Sequence, residues 1–234
     1  MSNMPLQEQP PTLDVGDKRI PVKRFELLNQ LRLAVSRLEL DEPRHGLPKI
    51  FIVKQQKHNG EAEFCNEIST YEGLQGLQGT VIPILFSQGL LNGCPALILL
   101  EAEGMTLRDL AKLDESAVPE QTIESGLQQA FRELHRNGAI HCDPNLGNFL
   151  LCKNGKIVVI DLEEVNFSPR QQSWELSANL GNVEYLMSRF RDVRYPNRPP
   201  SPISYWEGHS AINNDGIGSD ALSLPFMTGL ENVV

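Results

Sequence analysis

The chain has 234 residues, a formal net charge of −9 and 40% hydrophobic residues, which is enough for one medium domain or two small lobes with an apolar core. The excess acidic charge disfavours binding to nucleic acid or to an anionic membrane, because a polyanion would be repelled. The longest apolar run, Ala96 to Leu100, is too short to span a bilayer, and the first residues do not resemble a signal peptide. We therefore expect a cytoplasmic protein without nucleic-acid or membrane partners, and we expect a monomer.

The first 40 residues contain two stretches of different character. Residues 1–20 are polar and carry Pro5, Pro10 and Pro11, which predicts a flexible lead-in. Between residues 25 and 40, two patterns overlap. A helix is favoured by apolar residues at helical spacing, namely Leu27, Leu28, Leu31, Ala34, Val35 and Leu38. A strand is favoured by the alternation of Leu31, Leu33 and Val35, so the residue pattern leaves both structures open.

A basic residue ends the next predicted strand. Residues 49–54 are rich in β-formers and finish at Lys54. A predicted helix follows, with apolar residues at helical spacing, namely Phe64, Ile68, Tyr71, Leu74 and Leu77. Glu67 projects from this helix and is the candidate partner of Lys54. Lys57 is a competing candidate, and Lys54 is alternatively a solvated lysine at a strand end.

The residue pattern in the middle of the chain predicts the end of a helix followed by a β-hairpin. Gly76 and Gly79 are candidate helix ends, because glycine accepts the left-handed cap conformation. Strands are predicted at 82–88 and 94–100 around the turn Asn92-Gly93, which is a strong hairpin signal. After a connecting segment that contains Glu101, Thr106 is the expected N-cap of a short helix.

The longest predicted helix leads into a polar loop. Pro119 suits its first turn, Gly138 ends it, and one face is apolar through Ile123, Leu127, Ala130, Phe131 and Leu134. Strands at 149–152 and 156–160, joined by a turn at 153–155, follow the loop. We expect this hairpin to bring Asp161 beside Asn148, since the two residues lie on its opposite arms. A further helix is predicted over 174–191.

The polar loop and the residue after the hairpin have the groups needed for phosphoryl transfer. Catalysis of that reaction consists mostly of positioning and of neutralising phosphate charge. Asp143 would orient an attacking hydroxyl, while Asn148 and Asp161 offer the hard oxygen ligands that Mg²⁺ prefers. His141 would brace the loop. These residue types also favour ordinary turns, but four polar positions at this spacing, between a helix and a strand, favour the catalytic interpretation.

The string His141-Cys142-Asp143-Pro144-Asn145-Leu146-Gly147-Asn148, followed by a strand and Asp161-Leu162-Glu163, resembles the catalytic loop and metal-binding aspartate of the protein kinase-like superfamily. Cys142 stands where ordinary protein kinases carry arginine, and Leu162-Glu163 where they carry Phe-Gly. The loop is more similar to the aminoglycoside phosphotransferase branch and to small fungal or bacterial kinase-like proteins. The segment from Tyr71 to Pro83 is similar to a run found in fungal kinase-like proteins.

The resemblance implies an α+β, bilobal, truncated kinase-like fold. It would comprise a small antiparallel-sheet lobe over 21–103, a mainly helical lobe over 104–191 and a largely disordered tail over 192–234. By analogy, ATP and Mg²⁺ are the expected cofactors, and a hydroxyl of a protein or a metabolite is the acceptor. The site residues carried over are catalytic Asp143, Asn148 and His141, nucleotide-binding Lys54, Glu67, Glu101 and Asp161, and metal-binding Asn148 and Asp161.

The sequence also departs from the superfamily pattern. No G-x-G-x-x-G occurs between Gly16 and Gly46, no Ala-Pro-Glu follows Asp161, and residues 163–170 are too few for a regulated activation segment. These departures favour a small-molecule kinase, or alternatively a pseudokinase or nucleotide-binding interaction module. The retained charged positions favour a phosphotransferase, because a scaffold has no need for two acids beside an amide in a cleft.

Overall fold

The structure is a computed structural model that describes residues 11–28, 34–113, 118–168, 173–197 and 199. Its strands are β1 Thr12–Val15, β2 Lys18–Pro21, β3 Arg24–Leu27, β4 Val35–Glu39, β5 Ile50–Gln55, β6 Leu85–Leu91, β7 Cys94–Leu99, β8 Gly104–Thr106, β9 Ala139–His141, β10 Phe149–Cys152, β11 Ile157–Val159 and β12 Val165–Phe167. Its α-helices are α1 Glu61–Gly73, α2 Leu107–Leu110, α3 Glu120–Arg136 and α4 Ala178–Arg194. This mixture confirms the predicted α+β class.

The front half of the described chain is an antiparallel sheet with the strand order β2-β1-β6-β7-β5-β4-β3. The turn between β6 and β7 has positive φ at Asn92 (53°) and Gly93 (80°), as the predicted Asn-Gly hairpin requires. On the opposite edge of β6, Gly89 lies so close to β1 that a Cβ would come within 2.5 Å of the Asp14 carbonyl oxygen. Glycine at 89 therefore permits this strand pair.

The two faces of the sheet belong to two separate cores. Phe51 and Val53 of β5 enter a cluster with Leu13 and Ile20 on one face. Because side chains alternate along a strand, Lys54 points to the other face, where α1 lies. The second core joins α1 to the back half of the molecule through residues such as Tyr71, Leu99, Phe131 and Phe149. The strand that carries Lys54 is therefore fixed by the packing of its opposite face into an apolar cluster.

The structure corrects two expectations for the first 40 residues. A flexible lead-in is wrong for residues 12–20, because they form β1 and part of β2, and Leu13 and Ile20 are fully buried. Residues 1–10 lie outside the described residues. The open choice between helix and strand over 25–40 is settled in favour of strands where the structure describes the chain, in β3 and β4. Residues 29–33 lie outside the described residues. Pairing of β4 with β5 overrides the helical spacing of the leucines.

The back half places the polar loop between helices α3 and α4 and two small sheets. The predicted apolar face of α3 is buried, and Gly138 follows the helix with a φ of 72°. Strand β9 pairs with β12, and β10 pairs with both β8 and β11. The predicted hairpin around residues 153–155 is therefore confirmed.

Several predicted helix boundaries are shifted. Helix α1 ends at Gly73, before the predicted glycines, and a 3₁₀ turn at Gln75–Leu77 follows it. The helix predicted over 174–191 starts with a 3₁₀ turn at Trp174–Leu176 and continues as α4 to Arg194. The predicted disordered tail is accordingly wrong for residues 192–194, while residues 198 and 200–234 lie outside the described residues. The lobe boundaries stay a prediction.

A search of the described helices for a membrane span finds none of sufficient length and apolar character.

Candidate active site

Lys54 lies at the centre of a compact group of charges. Its Nζ is 2.6 Å from Asp161 Oδ1, 2.7 Å from Glu67 Oε2 and 3.1 Å from Glu163 Oε1. The Lys54 side chain is only 7% exposed and that of Glu67 is fully buried. Glu163 also contacts the more exposed Lys57. The structure therefore brings the predicted Lys54, Glu67 and Asp161 together and adds Glu163 to them.

Three elements fix this charge group. Lys54 comes from β5, Glu67 from α1, and Asp161 and Glu163 from the segment between β11 and β12. Glu67 also accepts a hydrogen bond from the backbone N–H of Leu162 at 3.2 Å, so one carboxylate holds both the lysine and the segment that carries Asp161. Asp161 has a φ of 66°, an uncommon conformation for a residue other than glycine and one that is concentrated at functional sites.

Burial and charge act in opposite directions on the two innermost groups. Burial alone would lower the pKa of Lys54, but the negative charges of Glu67, Asp161 and Glu163 outweigh it, and the pKa is raised. For Glu67, burial raises the pKa and the nearby Lys54 cation only partly offsets this. Lys54 therefore stays charged at neutral pH, and the charge on Glu67 depends on that cation.

The polar loop forms a second group built around Asp143 and Asn148. Asn148 Nδ2 donates to Asp143 Oδ2 at 2.7 Å and to the Asp143 carbonyl oxygen at 3.3 Å. Its own backbone carbonyl accepts from Ile160 N at 2.8 Å, which joins the loop to the residue before Asp161. Because the amide nitrogen is engaged by Asp143, the Asn148 side-chain oxygen is the atom presented for other contacts.

His141 is a buried residue that contacts the backbone of Asp161. It is fully buried, and its Nε2 lies 3.2 Å from the Asp161 carbonyl oxygen, which requires the tautomer with hydrogen on Nε2. Burial lowers the pKa of His141 despite opposing effects from Asp161 and Asp143. A neutral imidazole without access to solvent fits the predicted bracing function.

Glu101 lies in a different part of the site. Its carboxylate pairs with Arg37 Nε at 2.7 Å, and both side chains are about a third exposed. Arg37 was not singled out by the sequence. The nucleotide-binding role predicted for Glu101 stays a prediction.

Sequence reasoning missed the residues that hold the site in place. Asn179 Nδ2 donates to the Ala139 carbonyl oxygen at 2.9 Å and its Oδ1 accepts from His141 N at 3.3 Å. Asn182 Nδ2 donates to the His141 carbonyl oxygen at 2.6 Å. Glu163 had a detectable signal, because it follows Asp161 by two residues in the quoted motif. The two asparagines of α4 had none.

Two cavities in the described part of the chain are lined mainly by residues outside the charge group. A cavity of about 910 Å³ lies beside α3 and the turn at 153–156. A smaller one, of about 260 Å³, borders Glu101. Apart from Glu101, the predicted site residues line neither cavity, so we assign the site by its charges and hydrogen bonds.

A buried lysine pairs with a helical glutamate and with Asp161, and a loop Asp/Asn pair is joined to the segment before Asp161 through the backbone. This arrangement on an α+β fold is typical of a kinase-like site. Comparison with known families agrees. The family model of the ABC1 atypical kinase-like domain matches residues 62–183, which is just over half of the chain. The chain belongs to this family, and the predicted membership of the protein kinase-like superfamily is confirmed. Lys54 precedes the matched region.

Two curated relatives are kinases by name. A probable serine/threonine-protein kinase of Streptomyces coelicolor is 35% identical over 96 residues, which cover 39% of this chain and 14% of that protein. A lipopolysaccharide core heptose(II) kinase of Escherichia coli is 29% identical over 99 residues, covering 42% of this chain and 39% of that protein. The chain thus spans less than half the length of either relative. The similarity supports a phosphotransferase-like function.

Proposed function

We propose that the chain is an ATP-dependent phosphotransferase that moves the γ-phosphoryl group of Mg²⁺-ATP to a hydroxyl acceptor. The observation that carries the proposal is the buried Lys54, held within 2.7 Å of both Glu67 and Asp161. Removing a lysine and its carboxylate partners from water costs free energy that their attraction need not repay, so a buried charge group of this kind favours a functional role. A fixed ammonium group at the end of a strand is suited to binding the phosphates of a nucleotide.

The donor groups at Asp161 and in the polar loop fit Mg²⁺. Asp161 and Asn148 offer carboxylate and amide oxygens, the hard ligands that Mg²⁺ prefers. Ligand atoms of Glu67, Asp161 and Glu163 all lie within 4.8 Å of one another, which gives the region more carboxylates than Lys54 alone neutralises. When bound, Mg²⁺ would neutralise phosphate charge during transfer.

Asp143 is assigned to the acceptor. Its Oδ2 is held by Asn148, so the carboxylate has a fixed orientation and a further oxygen to accept the proton of an incoming hydroxyl. Transfer would form a bond between that hydroxyl oxygen and the γ-phosphorus and break the bond to the bridging oxygen of ADP. His141 keeps Asp161 in place through the backbone and takes no part in proton transfer.

The second candidate is a pseudokinase or nucleotide-binding interaction module. It is favoured by the missing G-x-G-x-x-G motif and by the third carboxylate, Glu163, which occupies Lys54 together with Glu67 and Asp161. A nucleotide would have to compete with all three carboxylates for the same ammonium group. Binding without transfer, or no binding, would identify this candidate.

A thermal-shift titration with ATP, with and without Mg²⁺, tests nucleotide binding. Binding stabilises a protein by mass action, by about 2.7 kcal/mol at a hundredfold excess over Kd. We expect the melting temperature to rise with Mg²⁺-ATP and to rise less with ATP in EDTA. An unchanged melting temperature at millimolar Mg²⁺-ATP would contradict the proposal.

Substitutions then separate binding from transfer. Asp143→Asn should leave the thermal shift nearly intact and lower transfer by roughly a hundredfold or more, the usual contribution of a general base. Asp161→Asn should remove the Mg²⁺-dependent part of the shift. Asp14→Asn, in a surface pair with Arg19, is the matched control and should change neither. Equal turnover by Asp143→Asn would contradict its assignment.

The acceptor is proposed only as a class: a hydroxyl of a protein or of a small molecule. A screen of phosphate release and transfer over peptides and metabolites addresses it. We also propose that the protein acts in the cytoplasm as a monomer, that it has no nucleic-acid or membrane partner, and that it belongs to the small fungal or bacterial branch.

A further inference from the structure

Helix α1 is attached to the segment after Asp161 by a side chain outside the predicted site. Asn66 Nδ2 donates to the carbonyl oxygen of Glu163 at 2.7 Å and to that of Val165 at 3.1 Å. An amide nitrogen carries two hydrogens, so Asn66 can satisfy both carbonyls at once. The intervening carbonyl, of Glu164, accepts from Cys142 N at 2.8 Å.

The segment is contacted from two directions. The carbonyl oxygens of residues 163 and 165 accept from Asn66 of α1, while that of residue 164 accepts from the backbone N–H of Cys142 in the polar loop. The segment is therefore held from both sides, by Asn66 of the helix and by the backbone N–H of Cys142. Asn66 thus connects α1, through this segment, to the loop that carries Asp143.

Two neighbouring contacts reinforce the attachment. Glu67, the next residue of α1, accepts from Leu162 N and pairs with Lys54. At the end of the helix, Gly73 lies against the ring of Phe167 in β12, where a Cβ would come within 2.8 Å of the ring. Helix α1 therefore contacts β12 at two points, Asn66 near its middle and Gly73 at its end.

We propose that Asn66 is a positioning residue that keeps α1 docked, so that Lys54, Glu67 and Asp161 stay assembled without modification of the segment after Asp161. The relevance of this docking to catalysis rests on the proposed function. The Asn66 contacts join a side-chain amide to backbone carbonyls. They contain no titratable group and do not depend on phosphorylation of the segment. The site is then assembled before the nucleotide arrives.

The test compares Asn66→Ala and Asn66→Asp with Ser69→Ala in the full chain. Alanine favours a helix interior, so the first variant removes the donor without weakening α1. Aspartate keeps the size of asparagine and places an acceptor against two carbonyls, which gives a second variant should the first fail to fold. Ser69 is exposed on the same helix, and its hydroxyl bonds only within the helix, to the Cys65 carbonyl oxygen.

The first readout is hydrogen–deuterium exchange without nucleotide, followed in a peptide that covers residues 161–167. We expect both Asn66 variants to exchange about tenfold faster there, which corresponds to about 1.4 kcal/mol, and Ser69→Ala to match the wild type. The second readout is the Mg²⁺-ATP-induced rise in melting temperature, measured relative to each variant's own nucleotide-free value. A merely structural residue would lower the nucleotide-free value and leave that rise unchanged.

The outcomes separate this inference from the proposed function. Wild-type exchange rates in both Asn66 variants would overturn the inference, whether or not the protein binds nucleotide. Faster exchange with a smaller nucleotide-induced rise supports both proposals. Faster exchange in a protein whose wild type does not respond to Mg²⁺-ATP would support the docking by Asn66 and contradict the phosphotransferase.

Discussion

Two ionic contacts made by strands of the large antiparallel sheet differ sharply in their surroundings. Lys54 is 7% exposed and has three carboxylates within 3.1 Å, whereas Arg37 and Glu101 are 27% and 33% exposed and form a simple pair. Buried charges interact strongly because water does not screen them, and exposed pairs contribute little. Of these two charge groups, the one around Lys54 therefore has the stronger electrostatic interactions.

The largest expected effect follows from removing the buried cation. Lys54→Met leaves Glu67 buried without its counter-charge, which should lower the free energy of unfolding by about 3 kcal/mol at neutral pH. Urea denaturation monitored by circular dichroism measures it. Lys57→Met is the matched control, since Lys57 is 43% exposed, and it should change stability far less.

A second substitution sharpens this result. Glu67→Gln in the Lys54→Met background removes the uncompensated charge and should restore part of the lost stability. If the double variant is no more stable than Lys54→Met, the destabilisation does not come from the charge on Glu67.

Alkaline pH should weaken the Lys54 group more than the exposed pair. The pKa of Lys54 is raised above its ordinary value of 10.5, so its contribution to stability is complete below pH 10.5 and is lost as pH rises further. We expect the wild type to lose stability between pH 10.5 and 12 more steeply than Lys54→Met. Parallel curves for the two proteins would contradict the role of Lys54.

Acidification tests His141, which contacts the backbone of Asp161 in the Lys54 charge group. Burial lowers the pKa of His141 in the folded state, because the folded protein holds the imidazole in its neutral form. The contribution of His141 to stability is therefore present above pH 6.5 and is lost as pH falls through the folded pKa. We expect the wild type to lose more stability than His141→Gln between pH 7 and pH 5. His58→Gln, at an exposed position, should follow the wild-type curve.

The smallest effect is expected at the exposed pair. A double-mutant cycle of Arg37→Ala and Glu101→Ala should give a coupling below about 1 kcal/mol that shrinks in 1 M salt. A coupling as large as the effect of Lys54→Met would remove the contrast between the two pairs.

The sequence predicted those parts of the site that have distinctive residue types at fixed spacing. The loop from His141 to Asn148, Asp161 after its hairpin, and the pairing of Lys54 with Glu67 all belong to this class. The Asn92-Gly93 turn and the buried face of α3 were also predictable, because backbone conformation and helical spacing leave local signals.

Other features left too little signal. Strands β1 and β2 are four residues long and each buries a single side chain, Leu13 or Ile20, so no alternation could be recognised. Strand β1 joins the sheet through β6, where Leu13 lies opposite Leu91, and β2 joins it through β1. Asn66, Asn179 and Asn182 are isolated polar residues whose partners are backbone groups distant in sequence. Such contacts have no periodicity and become visible only in the folded chain.

A crystal structure with Mg²⁺ and a non-hydrolysable ATP analogue would test the central claim most directly. The account predicts that the Lys54 ammonium group contacts the α- and β-phosphates while retaining Glu67, and that Asn148 and Asp161 bind Mg²⁺ on the side facing Asp143. A nucleotide bound elsewhere on the protein, with Lys54 still enclosed by Glu67, Asp161 and Glu163, would contradict it.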